Sequence, residues 1–186
     1  MNTRLKKVLI TGLVMVGIGA VHRAQAATTD TMLVSVSPAV TFAVSISSPF
    51  TLGNAGYQFG PVALSATTLS TVAITLNTTG ANAYEYFGVS ISNTSGNWTS
   101  TASAPGVDTF RMGAWIGSSQ PTAGNVTDYL SAPPYAETAA TKFNQASPTA
   151  YNSTASLWLK LEMPTNLNTG GNTAQTMTLT VTAQGS

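Results

Sequence analysis

The sequence contains no cysteine and, beyond residue 26, no histidine. Without cysteine the chain forms no disulfide, and it offers neither a catalytic thiol nor the thiol on which a bacterial lipoprotein carries its lipid. Without a later histidine it lacks the side chain that most often serves as general base and as metal ligand. We therefore expect a non-enzymatic protein with no cofactor and no metal.

Charged residues are also scarce, at 7% of the chain. Four of the seven basic residues precede residue 27, and without them the formal net charge changes from +1 to −3. The three remaining bases are far apart in the sequence, so no cationic patch for nucleic acid is expected. Each of the six carboxylates is alone in its segment, which does not match the paired carboxylates of glycosidases or the clustered oxygens of calcium sites.

The first 26 residues have the three zones of an export signal. A basic start at residues 4–7 precedes an apolar run at residues 8–20, which is shorter than the ~20 residues of a membrane-spanning helix. Small residues at positions 24 and 26 match the site that signal peptidase recognises. We expect residues 1–26 to be removed, leaving residues 27–186 as one domain with no membrane anchor. The expected location is extracellular or at the cell surface, with the periplasm as an alternative.

Apolar residues after the signal recur at every second position, which is the period of a β-strand. Pro38 interrupts the clearest run, residues 31–47, and because proline cannot donate to a ladder this run predicts two strands in one phase or one strand at a sheet edge. The apolar positions of the run are Met32, Val34, Val36, Pro38, Val40, Phe42, Val44 and Ile46. Shorter alternating runs lie at residues 69–76, 87–91, 110–116, 157–161 and 177–181.

Turn-forming residues separate these runs, for example at residues 77–80 and 104–106. About eight short strands with turns between them predict an all-β fold, an antiparallel sandwich. One long loop or insertion, residues 117–156, interrupts this pattern. Within it, residues 125–130 and 135–144 have the composition and spacing of short helices.

Two neighbouring segments carry a resemblance to a fold family. Residues 57–64 (YQFGPVAL) and 70–80 (STVAITLNTTG) resemble the F-G-x-V-x-L and N-x-G strand pair of immunoglobulin-like sandwiches of the ASPM-SPD2-Hydin type. The resemblance covers about a fifth of the chain, and Ala66 stands where the family usually has glycine. It implies an immunoglobulin-like sandwich and no particular activity, since one fold supports many functions.

Residues 31–47 are similar in position and pattern to the segment with which fimbrial subunits of the chaperone-usher kind complete a neighbour's sheet. The chain departs from those subunits in having no cysteine pair and no aromatic residue near its C-terminus. An exposed alternating strand can add to another molecule's sheet through backbone hydrogen bonds, whatever its family. The run is expected to form the first strands of its own sandwich, and addition to a neighbour's sheet is the alternative. The residues implied in strand exchange are Val34, Val36, Val40, Phe42, Val44 and Ile46.

Three tryptophans supply the leading binding alternative, because flat aromatic faces stack on sugar rings. Trp115 and Trp158 are in the opposite phase from the apolar residues of their own runs. Because tryptophan in a sandwich usually lies in the core, burial there is the expectation for both, and the alternative is that they share an exposed patch or lie under the 117–156 insertion. Trp98, in a turn region, is expected to be the most exposed of the three.

These patterns favour a secreted structural or surface-interaction protein, and self-association through its N-terminal strand is one way in which it would interact. Its expected partners are further copies of itself or another envelope protein. A carbohydrate-binding module with polysaccharide as its partner is the alternative. A small outer-membrane barrel is a second alternative, because alternation alone is shared by barrels and sandwiches.

Overall fold

A computed structural model of the protein describes residues 35–47, 56–130, 142–168 and 174–185. The chain divides into two units, residues 1–38 and residues 39–186. In the first unit the described residues, 35–38, are exposed and form no strand. Every described strand belongs to the second unit. The predicted signal peptide, Val34 and the predicted helical residues 135–141 lie outside the described residues.

The described part of the second unit consists of nine strands in two sheets, which confirms the predicted all-β fold class. The larger sheet has the order β1-β3-β8-β6-β5, with β2 also paired to β8 and β7 to β6. The smaller sheet consists of the two long strands β4 and β9. The strands are β1 (Ser45–Ser47), β2 (Thr67–Leu69), β3 (Ile74–Asn77), β4 (Glu85–Ser95), β5 (Thr99–Ser100), β6 (Thr109–Ile116), β7 (Tyr129–Leu130), β8 (Thr154–Glu162) and β9 (Thr176–Gly185).

One hydrophobic core lies between the two sheets, and the predicted alternation accounts for it. Strands β6 and β8 pair antiparallel, and the apolar phase of each is buried. Strand β4 contributes buried residues from the other sheet to the same cluster. Each such side chain stabilises the fold by about 1.5–3 kcal/mol relative to an exposed one. The central members are Phe87, Val89, Ile91, Phe110, Met112, Ala114, Ile116, Leu157, Leu159 and Leu161.

Two predicted strand runs are wrong in detail. Of residues 35–47 only β1 is a strand, because the backbone amides of Thr41 and Ala43 donate to side chains rather than to a neighbouring strand. The run at residues 69–76 is divided into β2 and β3, which both pair with β8. Residues 57–64, the first half of the segment pair that resembles immunoglobulin-like domains, form no strand either.

The first of the two predicted short helices is also wrong, and most of the second lies outside the described residues. Residues 125–130 form no helix, and their last two residues are β7, which pairs with β6 and buries Leu130 in the core. Residues 142–144 form a single 3₁₀ turn in which Phe143 has a φ of 54°. Across the described ranges, no helix has the length and apolar character needed to cross a membrane.

Candidate functional site

The hydrogen bonds of β4 determine which way the backbone of the smaller sheet points. The N–H of Glu85 donates to the carbonyl of Thr149, and the N–H of Thr149 donates back, at 3.0 and 2.8 Å. The side chain of Gln145 does the same for Phe87: its Oε1 accepts from the Phe87 N–H at 2.7 Å, and its Nε2 donates to the Phe87 carbonyl at 2.8 Å. Glu85 and Phe87 therefore direct their backbone groups away from β9.

Residues 142–150, which we call the closing segment, cover this edge of β4 at Glu85 and Phe87. Gln145 is only 4% exposed, so its amide replaces a neighbouring strand in a site from which water is excluded. Phe143, two residues before Gln145, is buried in the core, and its N–H donates to Asp128 Oδ2 at 2.5 Å. The amide of Asn144 donates to the carbonyl of Ile116 on the larger sheet. The closing segment thus joins the two sheets on the β4 side.

The opposite edge of the smaller sheet belongs to β9. In an antiparallel pair, two residues that lie directly opposite direct their backbone groups either both toward each other or both away from each other, so the β9 partners of Glu85 and Phe87 direct theirs away from β4. Among the described residues, β9 pairs with β4 alone. The sequence of β9 contains no proline and no charged residue. We call the outward-directed backbone groups of alternate β9 residues the open edge; those residues are Met177, Leu179, Val181 and Ala183.

The core beneath β9 is less completely covered than the core beneath β4. The inward side chains of β4, which are Phe87, Val89 and Ile91, are buried. The inward side chains of β9, the same four residues that carry the open edge, are only partly buried. The outward face of β9 is a row of exposed threonines. The smaller sheet therefore ends at β9 before the apolar layer below it is fully shielded from water.

The N-terminal part of the second unit is held beside one end of β9. Asn82 accepts the N–H of Thr41 at 2.8 Å, and its amide donates to the carbonyl of Ala39 at 3.0 Å. The N–H of Ala43 donates to Glu85 Oε1 at 2.6 Å. The other oxygen of that carboxylate, Glu85 Oε2, is buried with no hydrogen-bond partner among the described residues. These contacts place residues 39–43 at the start of β4.

The residues predicted to exchange strands are mostly exposed. Phe42 lies against Gly185, where a Cβ would collide with its ring, so this glycine permits the close approach. Val44 is partly buried against the core. Ile46 is in β1, opposite Leu76. The exposed fractions are 85% for Val36, 52% for Val40, 40% for Phe42 and 45% for Ile46.

The three tryptophans do not form one surface. Trp115 and Trp158 lie directly opposite each other on β6 and β8, on the face of the larger sheet that points away from the core, and both are half-buried. The Trp158 indole N–H donates to the carbonyl of Gly117 at 3.0 Å. Trp98 is half-buried too and packs against the core, with its ring 6.4 Å from that of Phe110. Trp98 is therefore separated from the other two by the larger sheet.

Beside this tryptophan pair lies a charged cluster that the sequence patterns did not predict. Arg111 and Glu162 are opposite each other in the β6–β8 register, and Arg111 Nη2 approaches Glu162 Oε2 at 2.5 Å. Lys160 Nζ lies 2.8 Å from Glu162 Oε1. Tyr129 joins the cluster, with its hydroxyl 3.1 Å from Glu162 Oε1 and its ring centroid 3.8 Å from the Arg111 guanidinium carbon. Two of the three bases that are far apart in the sequence therefore share one carboxylate.

The cluster fixes the charge states of its members and holds the insertion on the sheet. Burial alone would raise the pKa of Glu162, but its hydrogen bonds to Lys160, Arg111 and Tyr129 outweigh burial and lower the pKa. Burial alone would lower the pKa of Lys160, but its bonds to Glu162 and Tyr129 outweigh burial and raise it. Lys160 Nζ also donates to the carbonyl of Val126 at 3.1 Å. The cluster therefore ties insertion residues 126–129 to β8.

The remaining described carboxylates accept hydrogen bonds within the fold. Asp108 accepts the N–H of Asn168, and Asp128 accepts that of Phe143. Across the described ranges, no group of three or more acidic, histidine or cysteine side chains could hold a metal ion. Comparison of the chain with protein-family models, curated proteins and solved structures yields no match.

Proposed function

We propose that this chain is an exported, non-enzymatic structural protein of the cell surface whose copies associate through the N-terminal segment. The observation that carries the proposal is the state of residues 35–42. They alternate apolar and small polar residues as a strand does, yet they lie in no strand and expose Val36, Val40 and Phe42. A segment with this pattern gains backbone hydrogen bonds and buried apolar area when another molecule's sheet accepts it.

The composition of the chain supports close packing between copies. Edge strands of monomeric proteins usually carry lysine, proline or a bulge that prevents pairing with another molecule. Strand β9 has no proline and no charged residue. The segment 31–47 has no charged residue either, and its single proline is Pro38. A second copy therefore meets little electrostatic repulsion along either element.

Sedimentation velocity of the chain that begins at residue 27 tests the proposal. We expect large species that disappear when residues 27–37 are also removed, and a monodisperse monomer at high concentration would contradict it. Val36→Asp should weaken association at least about tenfold, because it puts a charge on the apolar side of the segment. Ser37→Asp is the matched control, since it adds the same charge on the polar side. Equal effects of the two variants would also contradict the proposal.

A carbohydrate-binding function is the second candidate, and the cross-strand position of Trp115 and Trp158 favours it. Two aromatic rings side by side on one sheet face can stack on adjacent sugar rings. Polysaccharide pull-down should then be lost in Trp115→Ala and Trp158→Ala and kept in Trp98→Ala, whose ring packs on the core side. Equal binding by all three variants, or no binding by the unchanged protein, would dismiss this candidate.

A further inference from the structure

We propose that the open edge of β9 is the acceptor for residues 27–37 of a second copy, which add to it as an antiparallel strand. We call residues 27–37 the arm. The inference rests on the proposed function and goes beyond it, because it assigns the receiving surface and the direction of the added strand. Each outward-directed backbone group of Leu179, Val181 and Ala183 would receive a partner from the arm.

The open edge is the longest uncovered strand edge in the described part of the chain. Strand β9 has ten residues, whereas β1 and β5, which end the larger sheet, have three and two. At the edge of β4, Glu85 and Phe87 already have partners in the closing segment, and residues 88–91 are buried. An eleven-residue arm, at about 3.3 Å per residue, is long enough to pair along the whole of β9. Neither end of the larger sheet offers the arm more than three residues.

The apolar phase of the arm matches what β9 leaves uncovered. Residues directly opposite in an antiparallel pair point to the same side of the sheet. When Met32, Val34 and Val36 are opposite the inward residues of β9, they extend the apolar layer beyond the edge. The partly buried Leu179 and Val181 would then be shielded from water, which is the main energetic gain of the added strand.

The hydrogen bonds that hold residues 39–43 explain why the strand added to β9 comes from a second copy and not from the same molecule. Residues 39–43 are held at the Gly185 end of β9 by Asn82 and Glu85, and Phe42 lies against Gly185. Earlier residues of the same molecule that paired with β9 would therefore run parallel to it. Parallel pairing is slightly less stable per residue than antiparallel pairing. The arm of a second copy carries no such tether and can approach antiparallel.

Two lysine variants of β9 test the acceptor in the chain that begins at residue 27. Val181→Lys places a charge on the inward side of an edge strand, a device by which natural sheets block such pairing. Its association should weaken at least about tenfold, whereas Thr180→Lys, on the exposed outward side, should change it less than about threefold. Circular dichroism and thermal melting of both variants establish that each is folded. Equal association of the two folded variants would overturn the assignment.

Amide hydrogen exchange gives a second measurement that does not depend on a variant. On association, the N–H groups of Leu179, Val181 and Ala183 should slow strongly, while those of Thr178 and Thr180, already directed to β4, serve as the reference. Association with slowing at β1 instead of β9 would leave the proposed function intact and overturn the acceptor. Slowing at β9 in a monomer would assign the edge to the chain's own arm and likewise overturn it. Absence of any association would contradict the proposed function itself.

Discussion

The two edges of the smaller sheet differ in the hydrogen-bond partners that the rest of the chain gives them. At the β4 edge, the Gln145 amide and the backbone of Thr149 satisfy the outward groups of Phe87 and Glu85. At the β9 edge, the described part of the chain supplies no comparable partner. A strand edge is a template for pairing with other molecules unless it is covered or charged. The start of one edge is therefore covered within the fold, whereas the other edge keeps the outward-directed groups on which the proposed association rests.

Covering the β4 edge has a conformational cost. Phe143 and Asn144 in the closing segment have φ values of 54° and 64°, a region that costs non-glycine residues about 1 kcal/mol each. Burial of the Phe143 ring and the hydrogen bonds of Gln145 offset that cost. Among the described residues, no segment with such strained residues covers the open edge. Variants of the closed edge should therefore change stability without changing association, and variants of the open edge should do the reverse.

The largest effect is expected from Gln145→Ala at the closed edge. The substitution leaves the buried N–H and C=O of Phe87 without partners and should lower the free energy of unfolding by about 3 kcal/mol. Urea unfolding of the chain without its arm measures this value free of association. Gln58→Ala, at an exposed glutamine, is the control and should change stability by less than about 0.5 kcal/mol. A similar small change in Gln145→Ala would mean that the amide does not close the edge.

A smaller loss is expected from Glu162→Gln, which tests the anchor of the insertion that carries the closing segment. The change leaves Arg111 and Lys160 without their shared anion, at a cost of about 2 kcal/mol for this incompletely buried cluster. Asp108→Asn is the control, since it removes a carboxylate charge and keeps an oxygen that can accept the N–H of Asn168. Equal losses in the two variants would contradict the role of the cluster.

The same cluster predicts a pH dependence. The lowered pKa of Glu162 means that its contribution is complete above its ordinary pKa of 4.5 and is lost as the pH falls through the lower value in the folded state. The raised pKa of Lys160 means that its contribution is complete below 10.5 and is lost as the pH rises through the higher value in the folded state. The stability difference between the unchanged protein and Glu162→Gln should therefore narrow below pH 4.5. A constant difference down to pH 2 would be inconsistent with this assignment.

The smallest effect is expected from Asn82→Ala, beside the open edge. The variant loses two exposed hydrogen bonds that hold Thr41 and Ala39, and it should lose about 1 kcal/mol. Hydrogen exchange of the Thr41 N–H should become faster, while association through the arm is retained. Asn125→Ala, at another exposed asparagine, is the control. Unchanged exchange at Thr41 would show that Asn82 does not hold this segment.

Local periodicity explains the parts of the fold that the sequence predicted. The phases of β4, β6, β8 and β9 follow from the alternation of apolar residues. The same alternation puts Trp115 and Trp158 opposite the core face, so the expectation that tryptophan lies in the core was wrong for this pair. The helix predicted at residues 125–130 was wrong because alanine and polar spacing is a weak signal, which the pairing of β7 with β6 overrode. The strand predicted at residues 35–44 failed because Asn82 and Glu85, about 40 residues away, take its backbone amides.

The sequence by itself determined that this is an all-β chain with few charges, no cysteine and a set of strands whose apolar phases can be read residue by residue. Only the tertiary structure decided which edges of those strands are covered. Alternation is a property of neighbouring residues, whereas edge coverage depends on pairings such as Gln145 with Phe87, 58 residues apart. Such pairings arise from the register and crossing of distant segments, and no local pattern in the chain encodes them.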